Sequence, residues 1–342
     1  MKHLIHKLFC VSALLIMINT GFAQAQDADA LRETGRSFMR QGDFPSALQA
    51  LDKALELKPG NIDILKDKAF IYYLQRDFAG TIDLCKKITA REDADAQSFQ
   101  ILGLAYKAIA ETKESEKMYK QALAKFPKSG ALHSDYGELL SSLNNAAEAI
   151  KYWEKGIEAD ANYSGNYYFA TKYYAQKGNI IWGLLYGEIF VNIESLSKRS
   201  EEIKTIIYGG YKKLFQDVSI LDNAKQSSSV FEKAVATNLG NLTSFGRFDV
   251  SPEMLTALRT RFLLSWYNNE ETKKMNFRLF DYHRSLLREG YFDAYNQWLI
   301  GPITDTQKYQ QWTAKHGDDV KAFQQYQRNE LFKMPAGQYY PH

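Results

Sequence analysis

The chain has 342 residues, of which 43 are Lys or Arg and 40 are Asp or Glu. This near balance gives no support to nucleic-acid binding or to attachment to an anionic membrane surface, because both need a concentrated basic face. We therefore expect neither nucleic acid nor a charged lipid surface among the partners.

The N-terminal segment has the three parts of a secretory signal peptide. Two lysines flank the start, an apolar run covers residues 8–18, and the tripeptide Ala-Gln-Ala ends at Ala25. We expect residues 1–25 to be cleaved, which predicts a periplasmic or secreted mature protein. An uncleaved membrane anchor is the alternative. Cys10 follows Phe9, where a lipoprotein site needs a small residue, so we do not expect a lipid anchor.

The next part of the chain is periodic, with one position recurring every 34 residues. That position is held by Gly35, Ala69, Gly103, Gly137 and Thr171. A fixed period of this length indicates a solenoid of stacked helix-turn-helix units, in which small residues stand where the paired helices approach most closely. The predicted units are residues 28–61, 62–95, 96–129, 130–163 and 164–197.

The unit at 96–129 shows the pattern most clearly. Its key positions are Gly103, Tyr106, Ser115, Tyr119, Ala122 and Pro127. With the five registers, these residues make 28–197 resemble the tetratricopeptide repeat family, strongly in the first four units and moderately in the fifth. The fifth unit departs at Gly183 and Gly187, which stand in place of an alanine and an aromatic residue.

The remaining segments predict further helices without the period. Residues 198–217 are expected to form a capping helix with Ser200 as its N-cap, and 218–249 a polar linker around one short helix. Residues 250–342 are expected to form a helical domain, which loosely resembles the C-terminal regions of exported bacterial repeat proteins. The predicted fold is all-α: a solenoid of five repeats and a capping helix, followed by a smaller irregular helical domain.

Residues that could carry catalysis or hold a metal are sparse in the predicted mature chain. Cys85 falls on a buried helix face and is interpreted as a core residue. The polar group around His283 includes Asp281, but side chains two apart on a helix point in different directions. We therefore expect no enzyme, no cofactor and no metal. An apolar run at 180–193 is too short to span a membrane and is interpreted as core.

The resemblance implies a binding surface on the concave face, which the first helix of each repeat lines in this family. The residues carried over to that groove are Arg32, Arg36, Arg40, Lys66, Phe70, Tyr73, Lys107, Tyr168, Phe169 and Lys172. The three arginines are spaced by four residues and therefore lie along one side of the helix. A charged, solvent-exposed surface that binds no ligand would explain this spacing equally well. The aromatic residues are the expected anchors of a partner. Arg36, Phe70 and Leu104 stand where some members carry a carboxylate-binding asparagine, which argues against recognition of chaperone tails.

The predicted function is non-catalytic binding of a protein or extended peptide, as a scaffold or assembly factor of the cell envelope. The alternative is an enzyme or small-ligand-binding domain in residues 250–342, with His283 in its pocket. A third hypothesis makes the C-terminal half an intramolecular lid on the groove.

Overall fold

The computed structural model describes residues 27–217, 219–243, 249–338 and 340. The predicted signal peptide, residues 1–25, lies outside the described residues. Within the described ranges the regular structure is entirely helical. The predicted all-α fold, with repeats followed by a further helical domain, is confirmed. The chain divides into two compact units, Met1–Pro127 and Lys128–His342.

The first unit contains three helix pairs, which coincide with the first three predicted repeats. They are α1 (27–41), α2 (Phe44–Leu57), α3 (Ile62–Leu74), α4 (Phe78–Thr89), α5 (Ala96–Ala108) and α6 (Thr112–Lys125). Side-chain N-caps define where several of these helices begin: Asp43, Asn61, Asp77 and Asp95 each accept a bond from a backbone N–H of the first turn. One core cluster joins the first pair to the second and is formed by Ala47, Leu51 and Ala54 of α2 with Ile64 and Ile71 of α3.

The small residues of the period have the packing role that the sequence predicts. A Cβ atom on Gly103 would lie 2.2 Å from the hydroxyl oxygen of Tyr119, and one on Gly35 would lie 2.9 Å from the side chain of Leu51. Both distances are well inside van der Waals contact. A larger residue at either position would therefore force the paired helices apart.

The second unit continues with two more helix pairs and then loses the period. Its helices are α7 (Gly130–Ser142), α8 (Ala146–Ala159), α9 (Ser164–Lys177), α10 (Ile180–Ile193), α11 (Lys198–Gln216), α12 (Ser219–Ala224), α13 (Val230–Thr243), α14 (Pro252–Asn268), α15 (Arg278–Arg288), α16 (Phe292–Thr304), α17 (Thr306–Lys315) and α18 (Gly317–Asn329), with a 3-10 turn at Thr272–Lys274. Helix α12 lies within the segment expected to be linker.

Helix α10 is the centre of the second unit. It packs against α9, α11, α13 and α15, and almost every residue of it is buried. This position explains why its sequence is apolar on all sides, and it confirms the interpretation of 180–193 as core. No helix in the described residues is both long and apolar enough to cross a bilayer.

The start of α11 differs from its prediction. The N-cap of α11 is Ser197, whose side chain accepts a bond from the backbone N–H of Ser200, so the assignment of Ser200 as N-cap was wrong. Ser200 is instead buried, and its hydroxyl donates to the carbonyl oxygen of Glu194. Helix α11 also packs against α16, which covers part of the face expected to be the polar outer surface of a cap.

Candidate functional site

The first candidate site is the side of α1, α3 and α5 that carries the predicted groove residues, called here the helix-A face. Phe70 and Tyr73 of α3 stack with ring centroids 6.1 Å apart and an interplanar angle of 14°. Leu74 and Leu104 are 40% and 38% exposed. Leu104 stands 34 residues after Phe70, at the same repeat position in α5. Half-buried rings and exposed leucines thus give adjacent repeats of this face an apolar character.

Acidic side chains of the same unit neutralise part of the basic ridge. Asp67 accepts a bond from Nε of Arg32 at 2.6 Å and lies 3.2 Å from Nε of Arg36. Lys66 is 5% exposed and pairs with both Asp63 and Asp95. These pairs link the first helices of successive repeats. Arg32 and Lys66 therefore hold the array together and present little free charge to a ligand.

Two basic residues of the face are more accessible. Arg40 is exposed at the end of α1 and has no ion-pair partner among the described residues. Lys107 is exposed on α5, at the repeat position that Tyr73 occupies in α3. Arg36 is intermediate, since its pairs with Asp67 and Glu33 leave its side chain 37% exposed. Accessible basic side chains therefore stand on α1, at Arg36 and Arg40, and on α5, at Lys107.

The predicted groove residues of the fifth repeat lie in the second unit, where they contact its own helices. Tyr168 is 9% exposed and donates its hydroxyl to Glu202 of α11 at 2.6 Å. Lys172 pairs with the same carboxylate at 2.7 Å. Phe169 stacks on Trp153 with centroids 5.2 Å apart. Tyr168 and Lys172 thus fasten α9 to α11, which leaves Tyr168 no accessible ring for a ligand.

The second candidate site is a buried polar cluster in the second unit. Glu188 of α10 pairs with Arg259 of α14, and its carboxylate also accepts a bond from the Tyr295 hydroxyl of α16 at 2.9 Å. Nε2 of His283, on α15, lies 3.2 Å from the same oxygen of Glu188 and 2.9 Å from Nη2 of Arg259. Asn296 accepts from the Arg259 guanidinium. Each of these residues is at most 5% exposed.

The sequence identified only His283 of this cluster, together with neighbours that point elsewhere. Asp281 accepts a bond from the Tyr267 hydroxyl at 2.7 Å, so no Asp281–His283 pair forms. Glu188 and Arg259 were missed as partners because they are separated by 71 residues. The available signal was a charged residue in the middle of the apolar run at 180–193.

The pKa shifts in the cluster indicate a charged Glu188–Arg259 pair beside an uncharged His283 imidazole. Burial raises the pKa of Glu188, but the charge of Arg259 and the hydrogen bonds that the carboxylate accepts outweigh this and lower the pKa to about 2. Burial and the Arg259 charge lower the pKa of His283 to about 4. The guanidinium donating to Nε2 suits the uncharged ring.

The space beside this cluster is small. A cavity of about 40 Å³ is lined by Glu188, Tyr211, Arg259 and His283 and by apolar residues of α10, α13 and α14. One water needs roughly 10–15 Å³ by this measure, whereas small-molecule sites hold about 300 Å³ or more. The cavity therefore has room for a few waters, and the hypothesis of a small-ligand pocket around His283 gains no support from it.

Comparisons with known proteins agree with the repeat geometry. Two family models, both described as tetratricopeptide repeat, match residues 38–103 and 102–165. Tetratricopeptide repeat protein 21B of Homo sapiens is 27% identical over 195 residues, which cover 55% of this chain and 15% of that protein. Stress-induced-phosphoprotein 1 of Caenorhabditis elegans is 29% identical over 149 residues, which cover 42% of this chain and 46% of that protein. The chain thus spans less than half the length of these curated relatives.

Solved structures are similar at lower sequence identity. A tetratricopeptide repeat protein from Parabacteroides merdae is 16% identical, covers 73% of this chain and 97% of its own, and has a TM-score of 0.41. A thermophilic TPR protein of Thermus thermophilus is 14% identical, covers 54% of this chain and 98% of its own, and has a TM-score of 0.44.

Repeat arrays of this kind form extended surfaces that bind other proteins, and the two matched stretches support such a role here. The finer questions of which face binds, and what it binds, depend on the individual side chains. The 34-residue register, the helix pairs and the two family-model matches together show that residues 38–165 of this chain are tetratricopeptide repeats.

Proposed function

We propose that the chain is a non-catalytic scaffold of the cell envelope, and that the helix-A face of its first three repeats binds an extended segment of a partner protein. The observation that carries this proposal is the run of accessible apolar side chains on α3 and α5, formed by Phe70, Tyr73, Leu74 and Leu104. Aromatic and aliphatic groups that a monomer leaves accessible on adjacent elements are typical anchors for a partner.

The charges around these residues indicate the chemistry of the partner. Arg36 and Arg40 lie on α1, next along the array from Phe70 and Leu74 by the repeat register. Arg40 has no ion-pair partner in the described part of the chain, so a carboxylate of the partner would gain a charge-assisted hydrogen bond there. The ligand is therefore an extended segment with apolar side chains and an acidic residue toward the α1 end.

The envelope location is supported by the residues at 1–25, which have the charged, apolar and small-residue parts of a signal peptide. Expression of the full chain in a bacterium tests this part separately. A mature N-terminus beginning at Gln26 in the periplasmic or secreted fraction supports export. Full-length protein retained in the cytoplasm contradicts it.

A crosslinking pull-down from envelope extract tests the binding face. The variant Phe70→Ala/Tyr73→Ala removes the stacked pair, and Lys113→Ala/Lys117→Ala is the matched control on the exposed side of α6. We expect a partner that wild type and the control capture and that the aromatic variant loses, with unchanged helicity by circular dichroism. Capture of the same proteins by all three chains would sink the proposal.

The charge reversal Arg40→Glu gives a second, independent arm. We expect it to weaken capture of the same partner, because it replaces an attractive charge with a repulsive one. Lys117→Glu makes an identical change of net charge on α6 and is expected to leave capture unchanged. Equal losses in both variants would mean that net charge, and not the helix-A face, governs binding.

A further inference from the structure

The segment that follows α18 is not helical, yet alternate side chains of it are buried. Leu331 is 70% exposed and Lys333 is exposed, whereas Phe332 and Met334 are 7% and 3% exposed. This alternation is the pattern of an extended strand lying on a surface. Pro335 favours it, because a residue before proline is biased to extended backbone. The described residues of this segment, 331–338 and 340, are called here the tail.

One side chain of the fourth repeat holds the main chain of the tail. Nδ2 of Asn162 donates to the carbonyl oxygen of Met334 at 2.9 Å, and its Oδ1 accepts the Met334 N–H at 2.9 Å. Asn162 thus satisfies both backbone groups of one residue, as a neighbouring strand would. Hydrogen bonds of this kind bind an extended main chain independently of its side chains. Specificity must therefore come from contacts with the side chains on either side of Met334.

Two aromatic subsites receive the side chains of the tail. Phe332 makes an edge contact with Tyr282 at 5.2 Å and lies 5.5 Å from the guanidinium carbon of Arg278. Tyr340 stacks on Phe231 with centroids 4.2 Å apart and an interplanar angle of 6°. A third contact is the Arg278 backbone N–H, which donates to the side-chain oxygen of Gln338 at 2.6 Å.

The tail does not fill the surface on which it lies. A cavity of about 240 Å³ lies between the tail residues 331–333 and the surface formed by Asn162, Asn192 and Tyr282. This volume exceeds what a few ordered waters occupy and approaches the roughly 300 Å³ of a ligand pocket. A bound segment with a bulkier side chain, or one more side chain, would therefore make contacts that the tail leaves unmade.

We propose that this surface, the tail site, is a second protein-binding site of the chain, and that the tail is its internal occupant. Its external ligand is an extended segment of a partner protein with an aromatic residue followed two positions later by Met or another aliphatic residue. Asn162 binds the main chain of that segment, and the cavity beside Tyr282 accepts its additional bulk. The site lies wholly in the second unit and is independent of the helix-A face.

An external segment can bind only after the tail has left the tail site. The stability of the bound tail therefore determines the apparent affinity for that segment. A short tether holds its segment at an effective concentration of about 1 mM or more, which a free ligand must overcome. Weakening the tail should raise the apparent affinity for a free peptide by at least tenfold, because the competent state becomes populated.

Fluorescence polarisation with the labelled peptide LFKMPAGQYY, the sequence of residues 331–340, tests this on the full chain. The variant Phe332→Ala/Met334→Ala vacates the site, and Leu331→Ala/Lys333→Ala is the matched control at the exposed positions. We expect binding at least tenfold tighter to the first variant than to wild type and to the control. Adding Asn162→Ala should weaken that binding by about tenfold, through the loss of two hydrogen bonds.

Hydrogen exchange at the backbone amide of residue 334 and at neighbouring amides shows whether the tail has left the tail site. Circular dichroism shows whether the fold is intact. Fast hydrogen exchange of the tail amides in a variant that does not bind the peptide would overturn the proposal. Binding of a scrambled peptide as tightly as the peptide LFKMPAGQYY would also overturn it. If wild type forms dimers in which each tail occupies the site of the other chain, the external ligand is a second copy of this chain. That result would overturn the proposal that the ligand belongs to a partner protein. Loss of partner capture in Phe70→Ala/Tyr73→Ala has no bearing on this result, because those residues lie in the first unit.

Discussion

Glu188 of α10 and Arg259 of α14 form an ion pair in the interior of the second unit, where the two side chains are 4% and 6% exposed. Tyr295 and Asn296 of α16 bond to the same two groups. One pair therefore connects the last repeat to two helices of the C-terminal region. A buried pair tolerates little change, because removal of one partner leaves the other as an unpaired charge.

We expect Glu188→Gln to lower the free energy of unfolding of the second unit by about 3–5 kcal/mol, as found for broken buried pairs. All five tryptophans lie between 153 and 312, so tryptophan fluorescence in urea follows this unit alone. The control Glu148→Gln breaks the exposed pair with Lys151 and should change stability by less than about 1 kcal/mol. Equal effects of the two substitutions would contradict the importance of burial.

The double variant Glu188→Leu/Arg259→Met removes both charges, whereas Glu188→Gln leaves Arg259 as an unpaired buried charge. Comparing their stabilities separates the contribution of the ion pair from the cost of that unpaired charge. Apolar residues of similar volume often match or exceed a buried pair in stability. We therefore expect the double variant to be more stable than Glu188→Gln in the same urea measurement. A double variant less stable than the single one would show that hydrogen bonds to Tyr295 and Asn296 dominate.

The pKa of His283 predicts how the second unit responds to acid. Its folded pKa is lowered from 6.5 to about 4, so between these pH values the unfolded chain binds a proton that the folded chain does not. Stability is therefore fully present above pH 6.5 and falls as the pH drops toward 4, by about 3 kcal/mol for this group. The window lies above that of Glu188, whose pKa is about 2.

Urea unfolding at pH 7.5 and pH 5, followed by tryptophan fluorescence, measures this slope. We expect His283→Gln to flatten the change between the two pH values while lowering stability at pH 7.5. His316→Gln alters a histidine of intermediate exposure that pairs with Asp319 on the surface and serves as the control. An unchanged slope in His283→Gln would assign the acid sensitivity to other groups.

The sequence predicts the repeats well because their determinants are local and periodic. The spacing of Gly103 and its equivalents, and the helix boundaries near Pro59 and Pro127, require no knowledge of distant contacts. Ser251 is likewise the N-cap of α14, and the Ser-Pro-Glu sequence there is typical of a helix start.

The buried cluster and the tail site could not be predicted in this way. Glu188 meets its partners only after helices 71 and 95 residues further on pack against α10, and no periodicity records such a meeting. The tail is similar, since Asn162 and Met334 are 172 residues apart and neither belongs to a motif. For the predicted groove residues, the register could not show that the polar groups of Lys66 and Tyr168 contact neighbouring helices.

Cys85 offers a specific probe of the first unit. Its side chain is fully buried in α4, and burial raises the pKa of the thiol to about 12. The thiolate that reacts with disulfide reagents is thus scarce as well as inaccessible in the folded state. In a chain carrying Cys10→Ser, we expect no labelling by Ellman's reagent at pH 8 until urea unfolds the first unit. A cysteine introduced as Glu114→Cys on the exposed side of α6 should react at once, and rapid labelling of Cys85 itself would contradict its placement.

The turns between paired helices contain a shared backbone feature that predicts opposite effects of two substitutions. Gly42 and Ala110 occupy the same repeat position and both have positive φ, 79° and 56°. A residue with a Cβ atom pays roughly 1–2 kcal/mol in this left-handed region, whereas glycine does not. Nothing lies within 4 Å of a Cβ built on Gly42, so the penalty there would come from the backbone alone.

We therefore expect Ala110→Gly to raise the stability of the first unit by about 1 kcal/mol and Gly42→Ala to lower it by a similar amount, part of the gain being offset by the greater freedom of glycine in the unfolded chain. The rate of Cys85 labelling in dilute urea measures both changes on the same unit, slower for the first variant and faster for the second. Shifts in the same direction for both would mean that contacts of the turn, and not its backbone conformation, decide its stability.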